Sequence, residues 1–104
     1  MKVLETKTEF DNFLTEAGSK LVVIDFYADW CGPCKMIGPK FLKMAEDFPD
    51  VCFAKVNVDE NSDTAEEEDI TAMPTFKFYK NGNQVDVLTG ANEAKLREKI
   101  ETLK

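Results

Sequence analysis

The sequence predicts an α/β fold, with a mixed five-stranded sheet at its centre and four helices distributed over both faces of that sheet. Strand-like and helix-like segments alternate along most of the chain, an order typical of parallel strands joined by helical crossovers. Near the end, two strand-like segments flank Asn81-Gly82, the strongest short signal for a hairpin and therefore for an antiparallel pair. The length of 104 residues fits one domain, spanning 1–104.

The first half of the chain carries two helical patterns around a buried strand. The first helix is expected to begin at the cap residue Thr8 and to end at Gly18. Residues 21–27 are apolar without alternation, which predicts a strand covered on both faces. The second helix is expected to bend at Pro39 and to end at Pro49. The apolar faces of the two helices contain Phe10, Phe13, Leu14 and Ala17 in the first, and Ile37, Phe41, Met44, Ala45 and Phe48 in the second.

The second half adds the remaining strands and two helices. Residues 51–58 predict another buried strand, and residues 61–69 predict a short helix whose acidic side chains face solvent. Residues 76–79 and 84–88 are expected to pair as the hairpin, because both residues of its turn tolerate a positive φ. The last helix should begin near the cap Asn92. Its buried face contains Leu96, Ile100 and Leu103.

Composition excludes several functions. Thirteen basic residues against 20 acidic ones give a net charge of -7, which disfavours nucleic acid and anionic membrane surfaces as partners. No apolar stretch approaches the length of a membrane span, and residues 1–5 lack the apolar core of a signal peptide. We therefore expect a monomer in a reducing, cytoplasmic compartment, where a close cysteine pair is catalytic or metal-binding rather than structural.

The segment Trp30-Cys31-Gly32-Pro33-Cys34 carries the strongest chemical signal. It lies between the buried strand and the second helix, and a helix N-terminus favours the thiolate over the thiol. Two cysteines at this spacing can close and reopen a small disulfide ring. An inert pair or half of a zinc site are the alternatives. A zinc site needs four ligands, but the chain adds only Cys52 and has no histidine, so no metal is expected.

Four segments carry a resemblance to a known family. They are residues 25–35 (DFYADWCGPCK), residues 72–76 (AMPTF), Asn81-Gly82 and Gly90-Ala91, at spacings that cover essentially the whole chain. In these segments the chain resembles the thioredoxins, which implies the thioredoxin fold. Disulfide isomerase domains usually carry His before the second cysteine, and glutaredoxins carry Pro-Tyr between the two. The Gly-Pro pair here is therefore similar to the reducing branch.

The resemblance implies a general protein-disulfide reductase. An exposed, acidified Cys31 would attack a substrate disulfide, and a more buried Cys34 would resolve the mixed disulfide that forms. The products would be a reduced target and a Cys31–Cys34 disulfide. The expected partners are disulfide-containing proteins and a thioredoxin reductase that supplies electrons from NADPH, with no cofactor bound to this chain.

Two charged residues inside the apolar strands complete the expected catalytic set. Asp25 is either an acid at a loop edge or a buried group that takes the proton of Cys34; a matching acid in the family favours the second role. Lys55 resembles the lysine that accompanies this acid in many bacterial members. Its alternative is a surface lysine whose alkyl chain lies along the protein.

The resemblance also implies a substrate-docking patch, formed by Trp30, Gly32, Pro33, Met73, Pro74, Gly90 and Ala91. Pro74 matches the cis-proline of the family and would present the Met73 backbone to a substrate strand. Ile70 belongs either to this patch or to the core. Cys52 is expected to be a buried structural thiol.

Two other functions compete with the reductase. An oxidase or isomerase domain uses similar chemistry, but the Gly-Pro pair and the missing export signal oppose it. A binding module would use the same fold without catalysis, with a partner surface that is gated by the redox state of Cys31.

Overall fold

The alternation of strands and helices is present in the structure, a computed structural model that describes residues 1–104. In chain order the elements are β1 (Lys2–Val3), α1 (Lys7–Ala17), β2 (Val22–Tyr27), α2 (Gly32–Asp47), β3 (Cys52–Asn57), α3 (Ser62–Glu67), β4 (Thr75–Lys80), β5 (Asn83–Thr89) and α4 (Glu93–Leu103). The five strands form one sheet in the order β1-β3-β2-β4-β5. Strands β1, β3 and β2 are parallel, whereas β4 and β5 run antiparallel to their neighbours, so the predicted mixed sheet is confirmed.

The strand β2 has no polar face because helices cover both sides of the sheet. Val23 joins a cluster of 11 buried residues that includes apolar side chains of α2 and α4. Its neighbour Ile24 joins a cluster of nine on the other side, which includes Phe10 and Leu14 of α1. Successive residues of a strand point to opposite faces, so a strand covered on both sides is apolar on both, and Asp25 is the one exception in β2. None of the helices has the length and apolar character needed to cross a membrane.

The turn and cap residues confirm most of the predicted boundaries. Asn81 and Gly82 have φ values of 54° and 78°, as the hairpin requires. Asn92 caps α4, since its side chain accepts a hydrogen bond from the N–H of Lys95 at 3.0 Å. Gly18 follows the end of α1. Pro39 lies inside α2 without ending it.

The expected start of α1 is wrong by two residues. The cap is Thr6, which is extended and accepts a hydrogen bond from the N–H of Glu9 at 3.0 Å. Thr8 lies in the first turn. Both threonines precede the apolar face, and only the backbone conformation of Thr6 directs its hydroxyl to a free N–H.

Two side chains differ in burial from the prediction. Cys52 is half-buried, because β1 pairs only with Ala54 and Lys55 and leaves the start of β3 uncovered on that side. Glu68 was expected to face solvent with the rest of the acidic run, but it is half-buried and bonded to Lys77 and Tyr79.

Ile70 lies with the core rather than the docking patch. It is half-buried and packs against the cluster that contains α1.

Candidate active site

The two cysteines of the motif form a disulfide at the start of α2. Cys31 is the N-cap and Cys34 lies in the first turn, with a Cα–Cα distance of 5.2 Å. Gly32 and Pro33 form the first helical positions, where an N–H has no partner within the helix and proline is tolerated. The N–H of Cys34 donates to Sγ of Cys31 at 3.2 Å. After reduction, this N–H and the helix dipole favour negative charge on Cys31.

The expected contrast between an exposed Cys31 and a buried Cys34 is wrong for the disulfide state. Both residues are only 5% exposed. They form a small buried cluster with Ala28, against which Met73 packs. In the disulfide state these neighbours cover both cysteines.

Asp25 is buried among apolar residues in the middle of β2, so the loop-edge alternative is wrong. The residue is 3% exposed, and its Oδ1 has no hydrogen-bond partner. Burial raises the pKa of Asp25 from 3.8 to about 7, while the positive charge of Lys55 acts in the opposite direction. A carboxyl group with this pKa can both accept and release a proton near neutral pH.

A pocket of about 540 Å³ joins Asp25 to the cysteine motif. Asp25, Cys34 and Lys55 all line it, and Met1 and Leu42 contribute apolar parts of the wall. A cavity of this size with polar side chains can hold water, and water is the partner that buried polar atoms such as Oδ1 ordinarily use. The pocket therefore offers a route for a proton between Cys34 and Asp25.

Lys55 is the register partner of Asp25 on the neighbouring parallel strand, but the two side chains form no direct ion pair. The ammonium group of the half-buried Lys55 instead lies 5.1 Å from the centroid of the Tyr27 ring. The expected pairing thus takes the form of a charge effect on the pKa of Asp25 rather than a contact. The Tyr27 ring belongs to the same strand as Asp25, and an aromatic face attracts a cation at this distance.

The peptide bond between Met73 and Pro74 is cis, as the resemblance predicts. Met73 packs against the cysteine cluster. The carbonyl of Pro74 accepts a hydrogen bond from the N–H of Gly90 at 2.9 Å. Gly90 has a φ of 102°, a conformation that favours glycine. The hydrogen bond between Gly90 and Pro74 joins the two loops of the expected docking patch, and Met73 places the first of them against the cysteines.

Three members of the docking patch, Trp30, Gly32 and Pro33, lie in the cysteine motif itself. Trp30 is 68% exposed, and its Nε1 donates to Oδ2 of Asp59 at 2.9 Å. Gly32 and Pro33 are exposed, and Ala91 is half-buried. Pro74 is buried, so the accessible part of the patch consists of Gly32, Pro33 and the Trp30 side chain, which one hydrogen bond holds to Asp59.

Sequence reasoning missed Asp59 and Tyr27. Asp59 follows β3 as Trp30 follows β2, and neighbouring parallel strands end at the same edge of a sheet, so this pair was accessible to prediction. Tyr27 packs against the cysteine cluster, and nothing in its local sequence sets it apart from the rest of the strand. The structure contains no group of three or more Cys, Asp or Glu side chains placed to hold a metal ion.

A sequence model of the thioredoxin family matches residues 1–102. The chain belongs to the thioredoxin family. It is 64% identical to the thioredoxin of Geodia cydonium over 98 residues, which cover 93% of this chain and 92% of that one. It is 48% identical to the thioredoxin of Homo sapiens over 103 residues, with 99% and 98% covered. Members of this family are protein-disulfide oxidoreductases.

Solved structures agree with the sequence relatives. The X-ray structure of Fasciola hepatica thioredoxin superposes with a TM-score of 0.98 at 48% identity, covering all of both chains. Mitochondrial thioredoxin 3 of Saccharomyces cerevisiae, in its oxidised form, gives a TM-score of 0.93 at 44% identity, with 99% of this chain and 95% of that one covered. The thioredoxin fold expected from the resemblance is confirmed. With the Cys31–Cys34 pair in place, the chain is a protein-disulfide oxidoreductase.

Proposed function

We propose that this protein is a general protein-disulfide reductase. The observation that carries the proposal is the cysteine pair at the start of α2, which shares one pocket with a buried carboxyl group. The thiolate of Cys31 attacks a substrate disulfide, forms a mixed disulfide and releases one substrate thiolate. Cys34 then attacks Sγ of Cys31, which releases the second substrate thiolate and closes the Cys31–Cys34 disulfide. Two electrons pass from the dithiol to the substrate.

Asp25 is the proton acceptor for the second step. Cys34 must lose its proton before it can attack, and it faces the pocket that Asp25 lines. A pKa of about 7 suits this role, because the carboxylate is available near neutral pH and is basic enough to accept a proton through water. Lys55 assists by keeping part of the Asp25 population ionised.

Substrates dock at the surface around Met73. A substrate strand pairs with the Met73 backbone by β-augmentation, which places few demands on side chains and suits a reductase with many targets. Trp30, Gly32 and Pro33 give apolar and backbone contacts on one side, and Gly90 and Ala91 on the other. The acidic net charge of -7 supports protein rather than nucleic-acid partners.

Recycling uses a thioredoxin reductase that draws electrons from NADPH, with this chain acting as a monomeric carrier. The chain needs no bound cofactor for this cycle, because the two cysteines store both electrons. A reductase requires a dithiol that is kept reduced, which supports a cytoplasmic location. Cell fractionation followed by thiol trapping would overturn this location if the protein were found oxidised in an exported fraction.

The test is turnover of insulin disulfides with catalytic amounts of the protein, NADPH and a thioredoxin reductase. A Cys31→Ser variant serves as the control. We expect rapid NADPH oxidation with the native chain and none above background with the variant. A native chain that stays inactive, although dithiothreitol reduces its disulfide, would contradict the general-reductase role and leave the family membership intact.

A further inference from the structure

A second polar cluster lies on the opposite face of the sheet from the cysteines and has no part in the thiol chemistry. Lys77 of β4 is only 9% exposed, and its Nζ donates to the backbone carbonyl of Glu68 and lies 3.7 Å from Oε1 of the same residue. The hydroxyl of Tyr79 donates to that Oε1. We call these three residues, Glu68, Lys77 and Tyr79, the Glu68 cluster.

The Glu68 cluster faces the α1 side of the sheet. Lys77 and Tyr79 are the register partners of Ile24 and Val22, which belong to the apolar cluster on that side. A lysine this buried is tolerated only with partners for its charge and its donors. The cluster is therefore a specific connection between β4 and the residue that follows α3.

This connection fixes one end of the loop that carries Met73. Residues 68–74 have no regular structure and run from the end of α3 to the start of β4. Glu68 is tied to Lys77 and Tyr79, which lie on the strand that the loop enters. The other end is held where Thr75 Oγ1 donates to the carbonyl of Ala72 at 2.7 Å.

The middle of the loop is anchored as well, at Ile70. The N–H of Ile70 donates to the carbonyl of Ala65 at 3.0 Å, and its side chain packs on the core. Thr71 and Ala72 are exposed, and Met73 is half-buried against the cysteines. A loop closed at both ends on one strand samples fewer conformations, so it can hold a backbone ready for pairing.

We propose that Glu68, Lys77 and Tyr79 are positioning residues that hold the Met73 backbone in register for protein substrates. The inference rests on the proposed function, since it concerns substrates that pair with that backbone. Loosening the cluster weakens docking of a protein disulfide and leaves the cysteines themselves unchanged. A small disulfide that reaches Cys31 without pairing with Met73 is therefore insensitive to the cluster.

The test uses pre-reduced protein in single-turnover reactions, so it needs no reductase. The fluorescence of Trp30, which adjoins the disulfide, follows oxidation of the protein by insulin or by hydroxyethyl disulfide. The rate against insulin concentration gives an apparent dissociation constant and a limiting rate. For Lys77→Met we expect the dissociation constant for insulin to rise about five- to tenfold, with a limiting rate within about twofold of native.

Two further variants serve as controls. Lys7→Met removes the ion pairs to Asp11 and to Glu67, the neighbour of Glu68 in sequence, and should leave both constants within about twofold of native. Glu68→Gln retains the backbone carbonyl and a side-chain acceptor for Tyr79, so it should retain most of the affinity that Lys77→Met loses. If Lys77→Met does not fold, Tyr79→Phe removes one bond of the cluster and should raise the dissociation constant about two- to threefold.

The outcomes separate this inference from the proposed function. Native protein that fails to reduce insulin contradicts the proposed function itself. Native activity, together with a dissociation constant for insulin unchanged in Lys77→Met and in Tyr79→Phe, overturns the positioning role. An equal loss of rate with insulin and with hydroxyethyl disulfide also overturns it, because the cluster would then act on the cysteines or on the whole fold.

Discussion

Each face of the sheet holds a carboxyl group that is at least half-buried. The two groups differ in their partners. Asp25 lies beside the cysteines with an unpartnered oxygen and a pKa raised to about 7 by burial. Glu68, on the other face, receives a hydrogen bond from Tyr79 and lies beside the ammonium of Lys77. Tyr79 remains a donor, since burial and the bond to Glu68 raise the pKa of its hydroxyl.

The difference shows how to separate a structural buried charge from a reactive one. A charge with partners is neutralised where it lies, and removing it leaves those partners unsatisfied. A buried carboxyl group without partners destabilises the fold whenever it ionises. Groups of this kind are found mainly at functional sites, where the raised pKa is needed for proton transfer. The comparison therefore predicts opposite signs for substitutions at the two sites.

The largest expected effect is on the reactive face. Cys34→Ser should abolish turnover of insulin and trap mixed disulfides through Cys31, because nothing else can resolve the intermediate. Non-reducing electrophoresis detects the trapped species. Cys52→Ser is the matched control and should stay active. Unchanged partner binding by Cys34→Ser without any trapped disulfide would support the redox-gated binding module instead.

Asp25→Asn should stabilise the oxidised protein at pH above about 7. The folded carboxyl keeps its proton up to about pH 7, whereas the unfolded one releases it near 3.8. The contribution of Asp25 to stability is therefore fully present at low pH, and about 2–4 kcal/mol of it is lost as pH rises through this window. Urea unfolding from about pH 4 to 9 measures the loss, which the variant should lack. The exposed Asp29→Asn serves as control, and a native chain with no decline would contradict the account of Asp25.

Glu68→Ala should change stability in the opposite direction. It leaves the hydroxyl of Tyr79 and the ammonium of Lys77 without their side-chain acceptor, which should cost about 1–3 kcal/mol in urea unfolding at neutral pH. The exposed neighbour Glu67→Ala should cost less than about 1 kcal/mol. Equal losses in the two variants would show that the cluster contributes no more than a surface ion pair.

The smallest expected effect concerns Lys55. Its positive charge lowers the pKa of Asp25 without contact, so Lys55→Met should shift the carboxyl titration of Asp25 upward. Carbon-detected NMR of the Asp25 carboxyl measures the shift, and Lys35→Met is the control on the other wall of the pocket. A downward shift, or no shift, would show that Lys55 does not lower the pKa of Asp25.

Much of the fold was predictable because its signals are local. The apolar residues of β2, which do not alternate with polar ones, indicated a strand between two layers, and Asn81-Gly82 indicated the hairpin through a turn that few other pairs adopt. The choice of Thr6 over Thr8 as cap was missed, although Glu9 stands three residues after Thr6, which is the spacing of a capping box.

The candidate site was predictable where residues adjoin in sequence and less so where the fold brings them together. The cysteine motif followed from one short segment, whereas the cis bond before Pro74 followed only from the family resemblance. The Glu68 cluster joins residues nine and 11 positions apart, across a loop whose path no pattern specifies. Cys31 is buried in a cluster against which Met73 packs, and Met73 comes from a distant loop.

The role of Asp25 as proton acceptor for Cys34 is tested most directly by the pH dependence of mixed-disulfide resolution in the native chain and in Asp25→Asn. Single-turnover reactions with saturating insulin from about pH 5 to 9 give the limiting rate of each. We expect the native rate to rise around pH 7 and the variant to lack that rise and to be about a hundredfold slower, the lower end of the effect of a general base. Superimposable rates and pH profiles would show that Asp25 takes no proton from Cys34.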